Sequence, residues 1–283
     1  MEYTKVRNIK IPKLGFGGWL IGDNLDEKQK EIATFEYGYK NHQMTLIDTA
    51  EMYGEGKSER VIGEFLKGKN RSDFFIVNKI LPSNASQGLY EERCRHSLRI
   101  MGLDYFDLYL LHWKSNVDLQ EMVNSMEHLK EIGLIKEWGV SNFDVEAMEQ
   151  LFKCHHGDHC FANQCLFNLN ARGVEFDLIP WCQSHDVLFM AYSPLGNNKK
   201  DREKVVNNQK FKELAISHGY TPASLMLAFT IKEDKVIAIF KTSNQAHLDE
   251  NMYNVFKPIN NELSENINKI FSRTTKKKRL ETI

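Results

Sequence analysis

Residues 106–141 read FDLYLLHWKSNVDLQEMVNSMEHLKEIGLIKEWGVS, and this stretch decides the fold. Its two ends, Phe106–His112 and Ile135–Ser141, are short and mostly apolar, which is typical of strands buried on both faces of a parallel sheet. Between them, within Leu119–Ile132, apolar residues recur at the spacing of one helix face, at Met122, Val123, Met126 and Leu129. The stretch therefore predicts a strand, a crossover helix and a second, parallel strand.

The same alternation continues outward in both directions along the chain. Further strand candidates of this kind are Leu14–Gly17, Thr45–Thr49, Phe74–Lys79, Phe161–Cys165, Val187–Tyr192 and Val236–Phe240. Another helix is predicted for Asp26–Lys40, with its buried stripe at Ile32, Phe35, Glu36 and Tyr39. Eight strand–helix repeats without a linker rich in Pro, Gly or Ser favour a closed (β/α)8 barrel, the TIM-barrel fold, over an open Rossmann sheet.

The two ends of the chain lie outside this repeat. Val6–Ile11, followed by Pro12-Lys13, predicts a β-hairpin before the first barrel strand. Lys276-Lys277-Lys278-Arg279 is a run of charge, and we expect about the last ten residues to form a frayed tail. The sequence therefore predicts an α/β protein with a single barrel domain, residues 1–283, and an N-terminal hairpin.

Composition and charge exclude several classes of function. The chain has 37 Lys and Arg against 38 Asp and Glu, a net charge of −1, so it lacks the basic excess of a nucleic-acid or membrane-surface binder. No apolar run approaches the ~20 residues that span a bilayer, and Met1–Ile11 lacks the apolar segment of a signal peptide. Five cysteines, an odd number without an export signal, predict free thiols and a cytoplasmic location. We expect a monomer with a small-molecule partner.

Polar or ionisable residues end the predicted strands, which is where a barrel places its chemistry. These residues are Asp48, Lys79, His112, Ser141, Asn142, Gln164, Tyr192, Ser193 and Lys241, with Tyr53 in the loop after Asp48. No pair of strand-end carboxylates offers the two acids of a glycosidase. No group of histidines at the strand ends suggests a catalytic metal, so none is predicted there.

Asp48, Tyr53, Lys79 and His112 form a coherent set for proton chemistry. A free tyrosine has a pKa of ~10, and a cationic Lys79 beside Tyr53 predicts a lower value. Asp48 would keep the lysine charged and oriented, and a neutral His112 could hydrogen-bond a substrate carbonyl. The alternative is a buried ion pair with a tyrosine and a histidine that serve only the core.

Four segments carry a resemblance to a known family. LIDTAEMYG at 46–54, DLYLLHW at 107–113, GVSNF at 139–143 and AYSPLG at 191–196 resemble, in this order, the motifs of the aldo/keto reductase superfamily. The resemblance extends from about Gly15 to Asn251. Asn163-Gln164 and the stretch 168–183 are most similar to small bacterial members that reduce methylglyoxal and related aldehydes.

The resemblance implies an NADPH-dependent reductase of small aldehydes, ketones or dicarbonyls, with Tyr53 as the general acid. Lys79 and Asp48 would tune the acid, and His112 would orient the carbonyl. The substrate pocket would be lined by Trp19 and Trp113. The nicotinamide end of the cofactor would be held by Ser141, Asn142, Gln164 and Tyr192, and Gly18 would also contact the cofactor. Its phosphates and adenosine would be contacted by Ser193, Leu195, Lys241, Thr242, Ser243, His247, Glu250 and Asn251.

Two positions depart from the family's pattern. His247 stands where an arginine usually stacks on adenine and pairs with the 2′-phosphate. Histidine is mostly neutral at pH 7 and lacks the guanidinium fork, so a weaker preference for NADPH and some use of NADH are expected. Leu81 stands where many eukaryotic members carry a pocket tryptophan. An open pocket suited to small carbonyl compounds is expected.

Two other kinds of function stay open from the sequence. A nucleotide-sensing subunit on the same scaffold would bind the cofactor with little turnover, although the complete set of four residues argues against it. Cys154-His155-His156-Gly157-Asp158-His159-Cys160 could hold zinc or copper, and a metal-assisted hydrolase could be built on it. Because this segment falls in a loop at the opposite end of the barrel, we interpret it as a polar connection without a bound metal.

Overall fold

Eight parallel strands close into a barrel in the computed structural model, which describes residues 1–283. The ten strands are β1 Tyr3–Val6, β2 Ile9–Pro12, β3 Leu14–Gly17, β4 Leu46–Asp48, β5 Phe75–Ile80, β6 Phe106–Leu111, β7 Ile135–Ser141, β8 Ala162–Leu166, β9 Leu188–Tyr192 and β10 Val236–Phe240. Around the barrel the order is β3 to β10 in sequence, and β10 pairs with β3 to close it. The predicted (β/α)8 barrel is confirmed.

Helices connect successive strands on the outside of the barrel. They are α1 Lys28–His42, α2 Lys57–Leu66, α3 Pro82–Ala85, α4 Tyr90–Met101, α5 Leu119–Glu131, α6 Val145–Phe152, α7 Leu178–Ser184, α8 Lys199–Val206, α9 Gln209–Ser217, α10 Pro222–Thr230, α11 Gln245–Met252 and α12 Asn261–Ile270. Side chains cap several of them; Asp118, for example, accepts from the backbone N–H of Glu121 at the start of α5. None of the helices has the length and apolarity needed to cross a membrane.

The two helices analysed from the sequence differ in how well their buried faces were predicted. The face predicted for α5 is confirmed, because Met122, Val123, Met126 and Leu129 are all buried. On α1 the predicted buried face is wrong, because the observed face is shifted by about one residue towards the start of the helix. Its buried residues are Glu31, Thr34, Phe35 and Gly38. The helix turns this face inward because Gly38 lets it approach Phe16, where an added Cβ would lie 2.4 Å from a ring carbon.

The predicted hairpin closes the amino-terminal end of the barrel. β1 and β2 pair antiparallel, with Val6 opposite Ile9. Val6 and Ile11 pack into a buried cluster with inward-facing residues of the barrel strands. Arg7, in the turn, donates to the backbone carbonyls of Asp158, His159 and Cys160. The hairpin therefore also fixes the loop that carries the histidine-rich segment.

All five thiols are free, and four of them are buried. Burial raises the pKa of Cys94, Cys160 and Cys165 to about 12 and that of Cys182 well above its ordinary value. Cys154 is half-buried, and burial raises its pKa as well. The structure thus places these cysteines as packing residues rather than as a disulfide framework.

The tail after α12 has no regular secondary structure, but it lies along the barrel. Leu280 packs against the main hydrophobic core, and Arg273 donates to the backbone carbonyl of Glu175. The basic residues 276–279 are exposed. The segment expected to be frayed therefore packs against the barrel near its end, through Leu280.

Candidate active site

Asp48, Lys79, Tyr53 and His112 meet at the carboxyl ends of three neighbouring strands. Asp48 ends β4, Lys79 stands one residue before the end of β5, and His112 follows β6 directly. Tyr53 begins a short 3-10 turn after β4. Because β4 pairs with β5 and β5 with β6, the four side chains converge without any long loop.

Lys79 is the centre of this group. Its Nζ lies 2.7 Å from Asp48 Oδ2, 2.8 Å from the carbonyl oxygen of Thr49 and 3.2 Å from the hydroxyl of Tyr53. The residue is 0% exposed, so all three ammonium donors are committed inside the protein. Burial lowers the pKa of Lys79, but the charges of Asp48 and Tyr53 and the hydrogen bonds to both together raise it more, so the pKa lies above its ordinary value and the lysine stays cationic.

The two aromatic members of the group are shifted in opposite directions. Burial raises the pKa of Tyr53 by more than the Lys79 ammonium lowers it, so the predicted net lowering is wrong. The reason is that Tyr53 is only 9% exposed, so a tyrosinate at this position would lose most of its hydration. Burial, followed by the charge of Lys79, lowers the pKa of His112 to about 3, so its imidazole is neutral at pH 7. Nδ1 of His112 is buried without a hydrogen-bond partner.

Asp48 has a second partner that the sequence did not predict. Gln164, in β8 on the opposite side of the barrel, donates its Nε2 to Asp48 Oδ1 over 2.7 Å. Both oxygens of the buried carboxylate are therefore engaged, one by Lys79 and one by Gln164. This bond crosses the barrel interior and links the proton-handling residues to the residues at the ends of β7 and β8.

Residues at the ends of β7, β8 and β9 form a continuous hydrogen-bond network beside that group. The hydroxyl of Ser141 donates to the backbone carbonyl of Gln164 (2.8 Å), and Asn142 Nδ2 donates to that of His112 (3.2 Å). The Tyr192 hydroxyl donates to Asn142 Oδ1 over 2.9 Å. The structure thus brings these four predicted cofactor residues next to His112.

Two tryptophans stand at the mouth above this network. The ring of Trp19 lies 5.1 Å from that of Tyr53, and the ring of Trp113 lies 4.9 Å from that of His112. They are 51% and 39% exposed. Together they leave an aromatic, solvent-open space above Tyr53 and His112, where the sequence placed the substrate.

Gly18 packs against the backbone of this site. Its N–H donates to the carbonyl of Asp48 over 2.7 Å, and its own carbonyl accepts from the hydroxyl of Ser58 over 2.9 Å. A Cβ at this position would lie 2.6 Å from the Ser58 hydroxyl oxygen and 2.7 Å from the Asp48 carbonyl oxygen. Only glycine fits there.

The remaining predicted cofactor residues lie at the ends of β9 and β10 and along α11. Ser193 and Leu195 follow β9, and Leu195 is buried. Lys241, Thr242 and Ser243 follow β10, with Thr242 buried and Lys241 exposed. Farther along, on α11, lie the exposed His247, the half-buried Glu250 and the buried Asn251. Asn251 Oδ1 is a buried acceptor without a partner.

Sequence reasoning missed a buried polar cluster directly behind the site. Glu51 and Glu59 are 5% and 1% exposed, and both are hydrogen-bonded inside the protein. Arg93 pairs with Glu51, and Asn78 Nδ2 donates to Glu59 over 2.7 Å. The available signal was the position of Glu51 between Asp48 and Tyr53 in one motif.

The histidine-rich loop lies at the end of the barrel that the hairpin closes. The rings of His155, His156 and His159 are neighbours, and His159 Nδ1 lies 3.2 Å from Glu127 Oε2. No group of three or more His, Cys, Asp or Glu side chains is placed so that it could hold one metal ion. The loop is far from the group around Lys79, as the strand order requires.

Comparison with known proteins identifies the class that this fold and site define. The sequence model of the aldo/keto reductase family matches residues 13–271, so the chain belongs to this family. It is 39% identical to methylglyoxal reductase YeaE of Escherichia coli (strain K12) over 86% of this chain and 85% of that protein.

Solved structures agree with this assignment over the whole chain. An aldo-keto reductase from Klebsiella pneumoniae in complex with NADPH superposes with a TM-score of 0.94 at 36% identity, covering 100% of both chains. The thermostable aldo-keto reductase Tm1743, in complex with the inhibitor epalrestat, gives 0.82 at 31% identity and covers 95% of this chain and 100% of that one.

Proposed function

We propose that this aldo/keto reductase uses NADPH to reduce small aldehydes, ketones or dicarbonyls to alcohols, with Tyr53 as the proton donor. One observation carries the proposal: the Tyr53 hydroxyl lies 3.2 Å from the Lys79 ammonium, beside a neutral His112 and under two exposed tryptophans. A buried ion pair that served only the core would need neither an acid at its edge nor an open aromatic mouth.

The residues of this chain fit a dinucleotide cofactor. Asn251 Oδ1 is a buried acceptor without a partner, and an exocyclic amino group of adenine is a donor of the kind it lacks. Lys241 is an exposed cation directly after β10, which suits a phosphate. Ser141, Asn142, Gln164 and Tyr192 would hold the nicotinamide end, and a bound nicotinamide would supply a hydride to the carbonyl carbon. The complex of the Klebsiella relative with NADPH supports this choice.

Tyr53 would protonate the carbonyl oxygen as negative charge develops there. Its raised pKa keeps the hydroxyl protonated at neutral pH, so the proton is present when substrate arrives. Lys79, fixed 3.2 Å away and cationic, stabilises the tyrosinate that remains. The neutral His112 can donate one hydrogen bond to the same oxygen and hold it in line with Tyr53.

Small carbonyl compounds are the substrates that the mouth suits best. Trp19 and Trp113 form two aromatic sides of the proposed substrate pocket. Leu81 contributes no third aromatic ring, so the pocket would enclose only a short apolar group of the substrate. The relative named for methylglyoxal reduction agrees with this size class. Because His247 is exposed and carries no guanidinium, NADH would serve as a weaker second cofactor. That the chain acts as a monomer in the cytoplasm stays a prediction.

A carbonyl panel under multiple-turnover conditions tests the proposal. Methylglyoxal, a short aliphatic aldehyde, an aromatic aldehyde and a ketone are each mixed with NADPH or NADH, and the loss of the absorbance of the reduced nicotinamide is followed. We expect many turnovers with the aldehydes and NADPH, and fewer with NADH. Tight NADPH binding without turnover on any carbonyl would instead favour a nucleotide-sensing role.

A further inference from the structure

Glu51 is a buried carboxylate that the proposed chemistry does not use. It is 5% exposed and accepts three hydrogen bonds from two segments, the start of α3 and α4. Oε1 accepts from the backbone N–H of Leu81 (2.6 Å) and from Asn84 Nδ2 (2.8 Å), and Oε2 accepts from Arg93 Nε (2.6 Å). A charge is not retained in such a place for packing, because burying it is costly unless it is fully paired.

Two of these bonds connect the loop that carries Tyr53 to the segment that follows Lys79 and β5. Glu51 stands two residues before Tyr53, and Leu81 stands two residues after Lys79. The backbone N–H of Glu51 also donates to the carbonyl oxygen of Lys79 over 3.3 Å. The backbone near Tyr53 and the backbone near Lys79 are therefore joined twice, once by main chain and once by the Glu51 side chain.

Arg93 anchors this connection to the outer layer of helices. It lies in the first turn of α4, and its side chain is 30% exposed, while that of Glu51 is 1% exposed. Two further ionisable groups, Glu59 and Tyr109, lie close enough to act on this pair electrostatically. The bond from Arg93 therefore holds the carboxylate oxygen that Leu81 and Asn84 do not contact.

We propose that Glu51 is a positioning residue that sets the distance between the Tyr53 hydroxyl and the Lys79 ammonium. The proposal rests on the proposed function for what that distance does. Without the charge on Glu51, the loop 49–56 and the segment after β5 can move relative to each other. Proton transfer depends steeply on such distances, and a misplacement of about 1 Å can cost about a hundredfold in rate.

Two substitutions of Glu51 test this on the full chain. Glu51→Gln keeps the volume and one acceptor but removes the charge that Arg93 binds; Glu51→Ala removes all three bonds. We expect kcat with a small aldehyde and NADPH, per NADPH-binding site titrated by fluorescence, to fall about tenfold for Gln and towards a hundredfold for Ala. KM for the aldehyde and Kd for NADPH should stay within about twofold, since the Glu51 side chain is 1% exposed and offers no surface to a ligand.

Glu91→Gln is the matched control. Glu91 lies in the same first turn of α4 as Arg93 and pairs with Arg95 over 2.8 Å, but both side chains are about half exposed. It should leave kcat unchanged. A kcat per NADPH-binding site within twofold of the parent for both Glu51 variants overturns the proposal, because then any loss of activity reflects only the amount of folded protein. A loss that Glu91→Gln reproduces overturns it as well.

Hydrogen exchange decides the same point without any turnover. We expect the amides of residues 49–56 and 80–86 to exchange faster in Glu51→Gln than in the parent and in Glu91→Gln, while β7 to β9 are unchanged. Equal exchange in these two segments overturns the positioning role. If the parent reduces no carbonyl compound, the proposed function fails, and exchange alone decides whether Glu51 holds the two loops together.

Discussion

The two ends of the proposed cofactor and substrate site are built differently. At β4 to β6 the polar side chains are buried and bonded to one another: Lys79 is 0% exposed and has three internal partners. At β10 and α11 the cation Lys241 and the ring of His247 are exposed. The difference shows that the residues proposed for proton transfer are held in place before substrate binds, while those proposed for the cofactor's far end are left accessible to an incoming ligand.

Lys79→Met should have the largest effect at the buried end of the site, at β4 to β6. It leaves the Asp48 carboxylate buried with only Gln164 as a partner, and removing one member of such a pair costs about 3–5 kcal/mol of unfolding free energy. We expect this loss in urea unfolding, together with loss of nearly all reductase activity. Lys130→Met, which breaks a more exposed ion pair with Glu137, is the control and should cost less than about 1 kcal/mol. Equal losses in the two variants would contradict the contrast drawn above.

Tyr53→Phe, at the same buried end of the site, should lower the catalytic rate much more than the stability. General acids contribute about 10²–10⁴-fold, so kcat should fall about a thousandfold with methylglyoxal and NADPH. Lys79 keeps two of its three acceptors, so the unfolding free energy should drop by only about 1 kcal/mol. Tyr37→Phe, at a surface tyrosine bonded to Asp249, should leave kcat unchanged. Wild-type turnover in Tyr53→Phe would refute the role of Tyr53.

Substitutions at the exposed end of the site, at β10 and α11, should change the preference between NADPH and NADH rather than the maximal rate. Lys241→Met should raise KM for NADPH about tenfold, roughly the 1.4 kcal/mol of a charge-assisted bond, and leave KM for NADH unchanged. His247→Arg should lower KM for NADPH several-fold, because the guanidinium fork can pair with a phosphate. The check is the ratio of kcat/KM values for the two cofactors at fixed ionic strength. If neither variant changed the ratio of kcat/KM values for NADPH and NADH, Lys241 and His247 would not belong to the nucleotide site.

The last expected effect is the pH dependence of stability through His112. Its pKa is about 3 in the folded protein, because burial and then Lys79 disfavour the imidazolium, against 6.5 ordinarily. Below pH 6.5 the unfolded chain binds a proton that the folded chain does not, so the unfolding free energy falls as pH falls towards 3. His112→Gln should reduce this slope by up to about 1.4 kcal/mol per pH unit, measured by urea unfolding between pH 6 and 4.

Sequence patterns predicted the barrel well because its strands are buried on both faces. The predicted Leu14–Gly17, Ile135–Ser141 and Val236–Phe240 coincide with β3, β7 and β10, and the other five barrel strands differ by one residue at one or both ends. The face of α1 was missed because Glu31 is buried through a bond to the Gly22 N–H, which no hydrophobic pattern reports. Periodicity detects apolar contacts; it does not detect a charged residue that is buried through its hydrogen bonds.

The same limit applies to the site. Motif order and strand ends brought Asp48, Tyr53, Lys79 and His112 together in prediction, and the structure places them in contact. The sign of the Tyr53 pKa shift was wrong because it depends on how much water the fold removes, and a sequence shows only the neighbouring charge. The bond from Gln164 to Asp48 spans 116 residues of chain and depends on barrel closure, so it could not be foreseen.

Burial of the cysteines protects the protein from covalent modification by reactive carbonyl compounds. Small dicarbonyls add to thiolates, and a thiol whose pKa is about 12 is almost never a thiolate at neutral pH. Four of the five thiols are also out of reach of a dissolved reagent. A protein that handles such compounds would therefore be slow to be inactivated at its cysteines by the molecules it consumes, and the half-buried Cys154, at the far end of the barrel, would be the first to react.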